Sequence, residues 1–437
     1  MRIQNVKIDK LFEMFDYDIS FGSDRNPRII TGANGFGKTM ILNIIFNLFN
    51  RRFLFFPKLS FERIEVLMDA NVQIIVERVQ TNPSEAAEVK FIFLEQGIVV
   101  EEIKYSDKLD ARAMVQLQRI LPIVKLDDNR WMDHRNNRII STEDVLSQFA
   151  DSLPEELSKM IVRPKVKRTV AILDSIKVHL IREQRLFRKV PSSPDRVYHG
   201  EDKDQTIMVE SIQTYSKELK QLIAESSQRS FRTSQELDSS YPSRLVAETN
   251  VISEENYNKR YGALKAKQDK LQQNGLYEQQ YSVLSYSPSD SKALLVYLND
   301  LEKKLGVFDP LLDKLELFRG ILNERRFTHK RIEIDRERGF FFKTIKDRPL
   351  ELSQLSSGEQ HEVVLLYELI FNAQANVLVL IDEPEISLHV NWQKEFLNDL
   401  MTIIAIRNFQ VIIATHSPTI INDRWDLVYT LGEEEAK

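Results

Sequence analysis

The sequence of 437 residues contains no cysteine. This absence excludes disulfide bonds, thiolate ligands for metals and a cysteine nucleophile. Long apolar runs are also absent. The best candidate, residues 363–381, is interrupted by Glu368 and by the segment 372–376, whereas a membrane helix needs about 18 apolar residues in succession. The first ten residues alternate like a strand and lack the basic and then apolar layout of a signal peptide. We therefore expect a cytoplasmic protein that makes no contact with a membrane.

A strong excess of one charge is lacking too. The formal net charge is −5 at pH 7, which gives no global attraction to nucleic acid. Basic stretches at 163–168, 182–189 and 323–331 could follow a nucleic-acid backbone, and solvated protein faces explain them at least as well. Nucleic-acid binding is therefore an open alternative. With 42% hydrophobic residues, the chain can bury a large core and is long enough for two or three domains.

The chain divides into three segments by its residue pattern. Strand-like alternation around one helix dominates residues 1–104. Long, charge-laced helical patterns fill residues 151–324, where we expect a longest single helix of about 25 residues and serine-rich joints at 238–243 and 285–291. Strands return in residues 325–437, with helices between them. No convincing internal repeat is visible. This order predicts an α/β fold in which two strand-and-helix parts bracket a helical insertion.

A glycine-rich segment, GANGFGKT at residues 32–39, fits the pattern G-x-x-x-x-G-K-[ST]. It follows the apolar strand PRIIT and opens the helix TMILNIIFNLF, which is the context that a phosphate-binding loop requires. Glycines let backbone N–H groups converge on phosphate oxygens at a helix N-terminus, the lysine neutralises the β and γ phosphates, and the threonine hydroxyl can ligate Mg²⁺. The predicted nucleotide-binding residues are Asn34, Gly35, Phe36, Gly37, Lys38 and Thr39.

Two further apolar runs end in residues that suit the same chemistry. The run 377–381 ends in the adjacent carboxylates Asp382 and Glu383, and an apolar strand of this kind suits the centre of a parallel sheet, whose carboxyl edge is where ligands bind. Asp382 would lie beside the Mg²⁺ ion. Glu383 is placed to orient or deprotonate the water that attacks the γ-phosphate. The second run, FQVIIATHSP, brings His416 to this edge, where its ring can hydrogen-bond the γ-phosphate or the attacking water.

The turn LSSGEQ, at residues 355–360, completes a set with GANGFGKT, IDEPEISLH and ATHSP. This set resembles the motifs of the ABC-type ATPases, specifically the soluble branch that contains the SMC, Rad50, RecF and OLD-like proteins. The resemblance implies an ABC-type P-loop ATPase domain split by a helical, short coiled-coil-like insertion, with an antiparallel β subdomain. Residues 1–150 and 325–437 would be its two halves and 151–324 the insertion. ATP and Mg²⁺ would be the cofactors.

In this family the LSSGEQ turn caps the ATP held by another copy of the chain. Ser356 and Gly358 would offer a hydroxyl, a backbone N–H and a helix dipole to the γ-phosphate across a dimer interface. The chain is therefore expected to assemble with itself, as an ATP-dependent dimer or a higher homo-oligomer.

Two positions depart from the family pattern, and the assignment of one further residue is open. Ser357 stands where LSGGE or LSGGQ has glycine, and His389 stands where transport-type ATPases have aspartate, which weakens a transporter interpretation. The family also has a catalytic glutamine beyond an early strand. We favour Gln184, in VHLIREQRLF, for this role. Gln80, in ERVQTNP, is the alternative, and either could be an ordinary surface residue.

Over its whole length the chain looks like the ATPase component of the PARIS anti-phage systems, on the stretches KLFEMFDYDISF, LIREQRL and SQELDSSYPSRL. That resemblance implies a sensor and scaffold that holds a companion TOPRIM-like nuclease inactive until a phage-derived trigger protein is sensed. The alternatives are an SMC- or RecF-like DNA-repair ATPase and a Septu- or retron-type ATPase with an HNH partner. Because only a short segment follows His416, we expect no nuclease activity from this chain itself.

Overall fold

The computed structural model describes residues 1–22, 27–79, 88–106, 118, 121, 123–126, 130–133, 138–141, 166–190, 207–277, 285–373, 377–386 and 388–432. The chain forms two compact units, which we call the sheet unit (Met1–Val209 with Ala373–Lys437) and the helical unit (Glu210–Asn372). The predicted α/β fold class, with a parallel sheet, long helices and an antiparallel sheet, is confirmed. The domain boundaries that the sequence analysis expects after residues 150 and 324 stay predictions.

The sheet unit contains most of the strands. Its elements in chain order are β1 (Ile3–Leu11), β2 (Phe15–Ser20), β3 (Arg28–Thr31), α1 (Lys38–Phe49), β4 (Arg63–Met68), β5 (Val72–Val79), β6 (Glu88–Glu95), β7 (Ile98–Ser106), β8 (Ile123–Lys125), β9 (Arg130–Asp133), β10 (Arg138–Ser141), α2 (Lys167–Asp174), β11 (Lys177–Ile181), β12 (Phe187–Val190) and β13 (Ile207–Glu210), and after the helical unit β17 (Val377–Asp382), α8 (Val390–Arg407), β18 (Gln410–Ala414), α9 (Pro418–Ile421) and β19 (Val428–Thr430).

A five-stranded parallel sheet forms the centre of this unit, in the order β11-β17-β18-β3-β19. Every residue of β17 is buried, as the unbroken apolar run predicts. Since all five strands run in the same direction, their carboxyl ends meet at one edge. The residues that follow β3, β11, β17 and β18 are therefore neighbours, although β3 and β17 are separated by more than 300 positions in the sequence.

A second, six-stranded antiparallel sheet has the order β2-β1-β4-β5-β6-β7. Along β4, buried and half-buried residues alternate, which is the pattern of a sheet with one covered face. One apolar cluster joins this sheet to α1 and the parallel sheet, with Ile41, Leu42 and Ile45 of α1 fully buried within it. Helix α1 contacts β11, β17 and β18, so the glycine-rich loop that precedes the helix is anchored on the carboxyl edge of the parallel sheet.

The helical unit combines long helices with a small sheet. Its elements are α3 (Ser211–Ala247), α4 (Glu254–Gln273), α5 (Ser291–Gly306), α6 (Asp309–Gly320), β14 (Lys330–Asp335), β15 (Gly339–Thr344), β16 (Pro349–Leu350) and α7 (Ser357–Tyr367), with π-helical turns at Ile321–Arg326 and Glu368–Asn372. The three strands form an antiparallel sheet. Stacked rings of Tyr215, Tyr367 and Phe371 connect α3 to α7 and the turn beyond it.

The predicted helix length and the first serine-rich joint were wrong. Helix α3 has 37 residues, which corresponds to about 56 Å, and it runs through the expected joint at 238–243, including Pro242. Side-chain bonds support the helix there: Ser240 donates to the Glu236 carbonyl, and Arg244 donates to the Leu237 carbonyl while also pairing with Asp300 of α5. These contacts stabilise a helix that the local sequence disfavours. Among the described residues, none of the helices combines the length and apolar character needed to cross a bilayer.

Replacing Gly339 with alanine should destabilise the helical unit by about 2–5 kcal/mol, since a side chain there combines overpacking with a left-handed backbone. Gly339 has φ of 81°, and a Cβ atom would lie 1.9 Å from the Ser216 carbonyl oxygen of α3. The thermal midpoint of unfolding measures the loss. Gly262, inside α4 with open space around it, is the matched control, and its alanine variant should be as stable as wild type or more so. Equal midpoints for the two variants would contradict this packing.

Candidate functional site

The glycine-rich loop leads from β3 into the N-terminus of α1. Gly35 and Gly37 have φ of 91° and 80°, values that favour glycine, and Gly37 is the N-cap of the helix. The first backbone N–H groups of a helix lack partners within the helix, so the N-terminus of α1 offers donors for an anion. Tyr17 donates a hydrogen bond of 2.7 Å to the Phe36 carbonyl and holds the loop against β2.

Lys38 is the first residue of α1, and its side chain is 5% exposed. Its Nζ donates to the carbonyl oxygens of Gly32 and Ala33, at 3.0 and 3.4 Å, and lies 3.8 Å from Glu383 Oε1. The ammonium group therefore lies inside the curve of the loop, next to a carboxylate of β17's carboxyl end. This position allows it to neutralise phosphate oxygens bound by the loop.

Thr39 and Asp382 bring two oxygen ligands together. The Thr39 hydroxyl donates a 3.0 Å hydrogen bond to Asp382 Oδ1 across 343 positions of sequence. Burial raises the pKa of Asp382, and the hydrogen bond from Thr39 opposes this rise. Hydroxyl and carboxylate oxygens are the ligands that Mg²⁺ prefers, so this pair fits the predicted metal site.

Glu383 follows the last residue of β17, and its carboxylate is close to Lys38, Glu385 and His416. Its backbone is left-handed, with φ of 43°, and its N–H donates to the Ala414 carbonyl of β18. Backbone strain of about 1–3 kcal/mol at a non-glycine residue is typical of functional sites. Burial and the adjacent Glu385 carboxylate raise the pKa of Glu383 to about 7, and the hydrogen bond with His416 opposes this rise.

His416 lies next to Glu383, at the carboxyl end of β18. The distance from His416 Nδ1 to Glu383 Oε2 is 2.6 Å, and the distance to Glu385 Oε1 is 3.2 Å. The side chain of His416 is 51% exposed, so one face of the ring is open to a ligand or water. A short contact of this kind requires a proton between the two groups, which makes the pair suitable for proton transfer.

The predicted glutamine, Gln184, is exposed and lies three residues beyond the end of β11. Because β11 pairs with β17, Gln184 is at the same edge as Asp382. Its neighbour Arg185 is buried and donates to the Pro384 carbonyl at 3.1 Å. The alternative, Gln80, lies outside the described residues.

The LSSGEQ turn belongs to the helical unit, where Ser356 is the N-cap of α7. The Ser356 hydroxyl accepts from the Glu359 N–H, and Glu359 Oε2 accepts from the Ser356 N–H, which is a capping box. Lys330 donates to both oxygens of Glu359. Burial acts to raise the pKa of Glu359, and the bonds from Lys330 and Ser356 lower it on balance. Gly358 is in the first turn of α7, and Ser357 has helical geometry, so the turn does not require glycine there.

The structure thus links Lys38, Glu383 and His416 through ion-pair and hydrogen-bond contacts, and it pairs Thr39 with the adjacent carboxylate Asp382. Two residues that the sequence analysis did not identify, Glu385 and Arg185, hold the turn that follows β17. The sequence did contain one signal for Glu385, because it is a second carboxylate only two residues after Glu383. Asn34, Gly35, Phe36 and Gly37 form the loop itself.

Comparison with known families agrees with this geometry. A family model described as an AAA ATPase domain matches residues 1–421.

The chain belongs to this ATPase family.

Individual relatives are distant from this ATPase chain. Protein ea59 of Escherichia phage lambda is 33% identical over 101 residues, which are 23% of this chain and 19% of that protein. The chain therefore matches about one fifth of that relative's length. Among solved structures, it is similar to the Smc head domain with an extended coiled coil bound to the C-terminal domain of ScpA, from Pyrococcus furiosus (13% identity, TM-score 0.35, covering 96% of this chain and 90% of that one). It is also similar to the SMC head domain of Thermotoga maritima (12% identity, TM-score 0.33, covering 98% and 94%).

With Glu383 as the predicted general base, its raised pKa sets the expected pH dependence of ATP hydrolysis by this domain. A general base acts in its deprotonated form, so kcat/KM should fall about tenfold per pH unit below pH 7 and level off above it. Glu385, His416 and Lys38 lie around the carboxylate, and the loss of the His416 hydrogen bond should move the midpoint to higher pH in His416→Ala. Steady-state rates between about pH 5.5 and 8.5 measure this. A flat profile across neutral pH would remove Glu383 as the titrating base.

Proposed function

We propose that this chain binds ATP with Mg²⁺ and hydrolyses it at the carboxyl edge of the parallel sheet. The supporting observation is the convergence of Lys38, the Thr39–Asp382 pair and the Glu383–His416 pair, which come from three separate parts of the sequence. Each group has the chemistry that its position requires: a cation for the phosphates, oxygen ligands for a metal, and a base beside a histidine.

Hydrolysis requires water to attack the γ-phosphorus while the bond to the β-phosphate bridging oxygen breaks. Glu383 orients the water and accepts its proton, which it can do because its pKa of about 7 leaves it deprotonated in a large fraction of molecules at neutral pH. His416 holds Glu383 through the 2.6 Å contact, and its half-exposed side chain would be accessible to the γ-phosphate. Lys38 and the first N–H groups of α1 stabilise the charge of the phosphate oxygens. The products are ADP and inorganic phosphate.

Thr39 and Asp382 would hold Mg²⁺, because their oxygens already lie 3.0 Å apart beside the loop. The ion supplies charge neutralisation of the β and γ phosphates. Gln184 is placed at the same edge, and its role as a water- or metal-contacting residue is part of the proposal.

The site is completed by a second copy of the chain, as in the SMC, Rad50, RecF and OLD-like branch of ABC-type ATPases. Ser356 and Gly358 would contact the γ-phosphate held by the other copy. The exposed position of Ser356 at the N-terminus of α7 suits this role, because the helix dipole and a hydroxyl are presented together. Lys330 neutralises Glu359, which otherwise would repel the phosphate.

Mixing two inactive variants tests this composite site. Ser356→Arg and Lys38→Ala chains should each be inactive alone, whereas after subunit exchange an equal mixture should recover about one quarter of wild-type activity per chain, because random pairing in a symmetric dimer gives one good site per hybrid. Lys38→Ala mixed with the double variant Lys38→Ala/Ser356→Arg is the control and should stay inactive. If exchange is demonstrated and all mixtures remain inactive, the composite site is wrong.

The biological role that we propose is a sensor and scaffold in anti-phage defence, which controls a separate TOPRIM-like nuclease and responds to a phage-derived protein. The sequence resemblance to PARIS-system ATPases supports this. Tight co-purification of a nuclease encoded beside this gene, with no cleavage of DNA or tRNA by the isolated chain, is the expected result. Salt-sensitive DNA binding that stimulates ATP hydrolysis would instead favour the repair ATPase, and an HNH partner would favour the Septu or retron type.

A further inference from the structure

Glu385 is buried at the turn that follows β17, with 8% of its surface exposed. Its Oε1 accepts three hydrogen bonds from the segment after β18: from the Thr415 hydroxyl at 2.6 Å, and from the N–H groups of His416 and Ser417, both at 3.1 Å. The carboxylate therefore binds the backbone of the histidine that contacts Glu383. A carboxylate that accepts several such bonds holds its donors more strongly than a neutral acceptor does.

Further contacts fix the turn and the histidine segment to each other. Gln393 of α8 donates to the Glu385 carbonyl at 3.3 Å, and its Oε1 accepts from the Ser417 hydroxyl at 3.2 Å. On the other side of the turn, Arg185 donates to the Pro384 carbonyl. The backbone of the two residues after Glu383 is thereby held, while the His416 side chain is half exposed.

From this geometry we propose that Glu385 is a positioning residue, which fixes the His416 backbone so that the imidazole stays in contact with Glu383. The inference rests on the proposed ATP hydrolysis at this site. Glu385 acts through His416: its Oε1 is bonded to the residue on each side of the histidine and to the histidine's own N–H. Without this anchor the imidazole samples other positions, and a displacement of about 1 Å at a reacting group can lower a rate by about 100-fold.

A double-mutant cycle on kcat tests the proposal with purified full-length chains. Glu385→Ala should lower kcat for ATP hydrolysis by about 30- to 100-fold with KM changed less than about threefold, since ATP binding does not involve the group. Glu385→Gln keeps an acceptor oxygen, so its kcat should be higher than that of Glu385→Ala. We expect it to restore at least about a third of the decrease in log kcat that the alanine variant shows. In a His416→Ala background, Glu385→Ala should change kcat by less than about threefold on the high-pH plateau of each variant, where the direct effect of Glu385 on the pKa of Glu383 no longer matters, because the residue it positions is gone. Glu395→Ala, an exposed glutamate on α8, is the matched control for the loss of a carboxylate.

Variants of Thr415 provide an independent test of the proposal if Glu385→Ala does not fold. Thr415→Val removes the hydroxyl that bonds Glu385, whereas Thr415→Ser keeps it, so only the valine variant should lower kcat, and only when His416 is present. Additive effects of Glu385 and His416 on kcat, or a rise in KM with unchanged kcat, would overturn the positioning role. A wild-type chain that hydrolyses ATP no faster than Lys38→Ala would overturn the proposed function and this inference together. Activity in wild type with an additive cycle would overturn the inference alone.

Discussion

Replacing Glu383 with glutamine should lower kcat for ATP hydrolysis by about 100- to 1000-fold and leave ATP binding close to wild type. Glutamine has the shape of glutamate, so the left-handed turn and the bond from its N–H to Ala414 are retained, but it cannot accept the proton of the attacking water. The 2.6 Å contact with His416 becomes an ordinary hydrogen bond. Removal of the charge also takes away the carboxylate that pairs with Lys38, so the phosphate no longer competes with Glu383 for that ammonium group.

Phosphate release under saturating ATP, together with the equilibrium binding of a fluorescent ATP analogue, separates the two effects. Glu395→Gln, the same substitution on the exposed face of α8, is the control and should behave as wild type. Equal turnover in Glu383→Gln and wild type would show that another group accepts the proton. A loss of ATP binding would show instead that the carboxylate has a structural role in the loop.

Lys38→Ala is expected to have the opposite profile, a loss of ATP binding. Lys38 is the cation that lies inside the loop, and removing a buried charged partner costs about 3 kcal/mol, which corresponds to a Kd raised by about 100-fold or more. ATP hydrolysis at ordinary ATP concentrations then disappears because the site is empty.

Binding of the same fluorescent analogue, with and without Mg²⁺, measures this loss. Lys394→Ala, on the exposed face of α8, removes a positive charge from the same sheet unit and is the control. Because Lys38 also donates to the Gly32 and Ala33 carbonyls, the thermal midpoint of each variant is needed to show that the loop is intact. Wild-type affinity in a folded Lys38→Ala chain would mean that the loop does not bind the phosphates.

The residues of the proposed nucleotide site could be predicted from the sequence because each of them belongs to a local pattern. The glycine-rich loop needs a strand before it and a helix after it, and both were visible at Arg28–Thr31 and Lys38–Phe49. The apolar runs at β17 and β18 predicted buried parallel strands, and the rule that carboxyl ends share an edge placed Asp382, Glu383 and His416 together.

Features that depend on tertiary contacts were not predicted. The length of α3 rests on bonds between Arg244 and another helix, while the local DSSYPS sequence favours a turn. Glu385 belongs to the same short acidic turn as Glu383, and only the fold shows that its carboxylate accepts from the Thr415 hydroxyl and the backbone N–H groups of His416 and Ser417.

The order of strands in the parallel sheet has a consequence for how the chain is made. Strand β3 forms hydrogen bonds with β18 and β19 on its two sides, and both of these partners are synthesised about 380 residues later. At the usual pace of translation, this delay is roughly 20 to 80 s. The helical unit is one continuous segment, so it can fold on the ribosome in the meantime. Ile29 and Ile30, which end up fully buried, must therefore wait until β18 and β19 have been made, and during this interval the nascent chain most needs a chaperone.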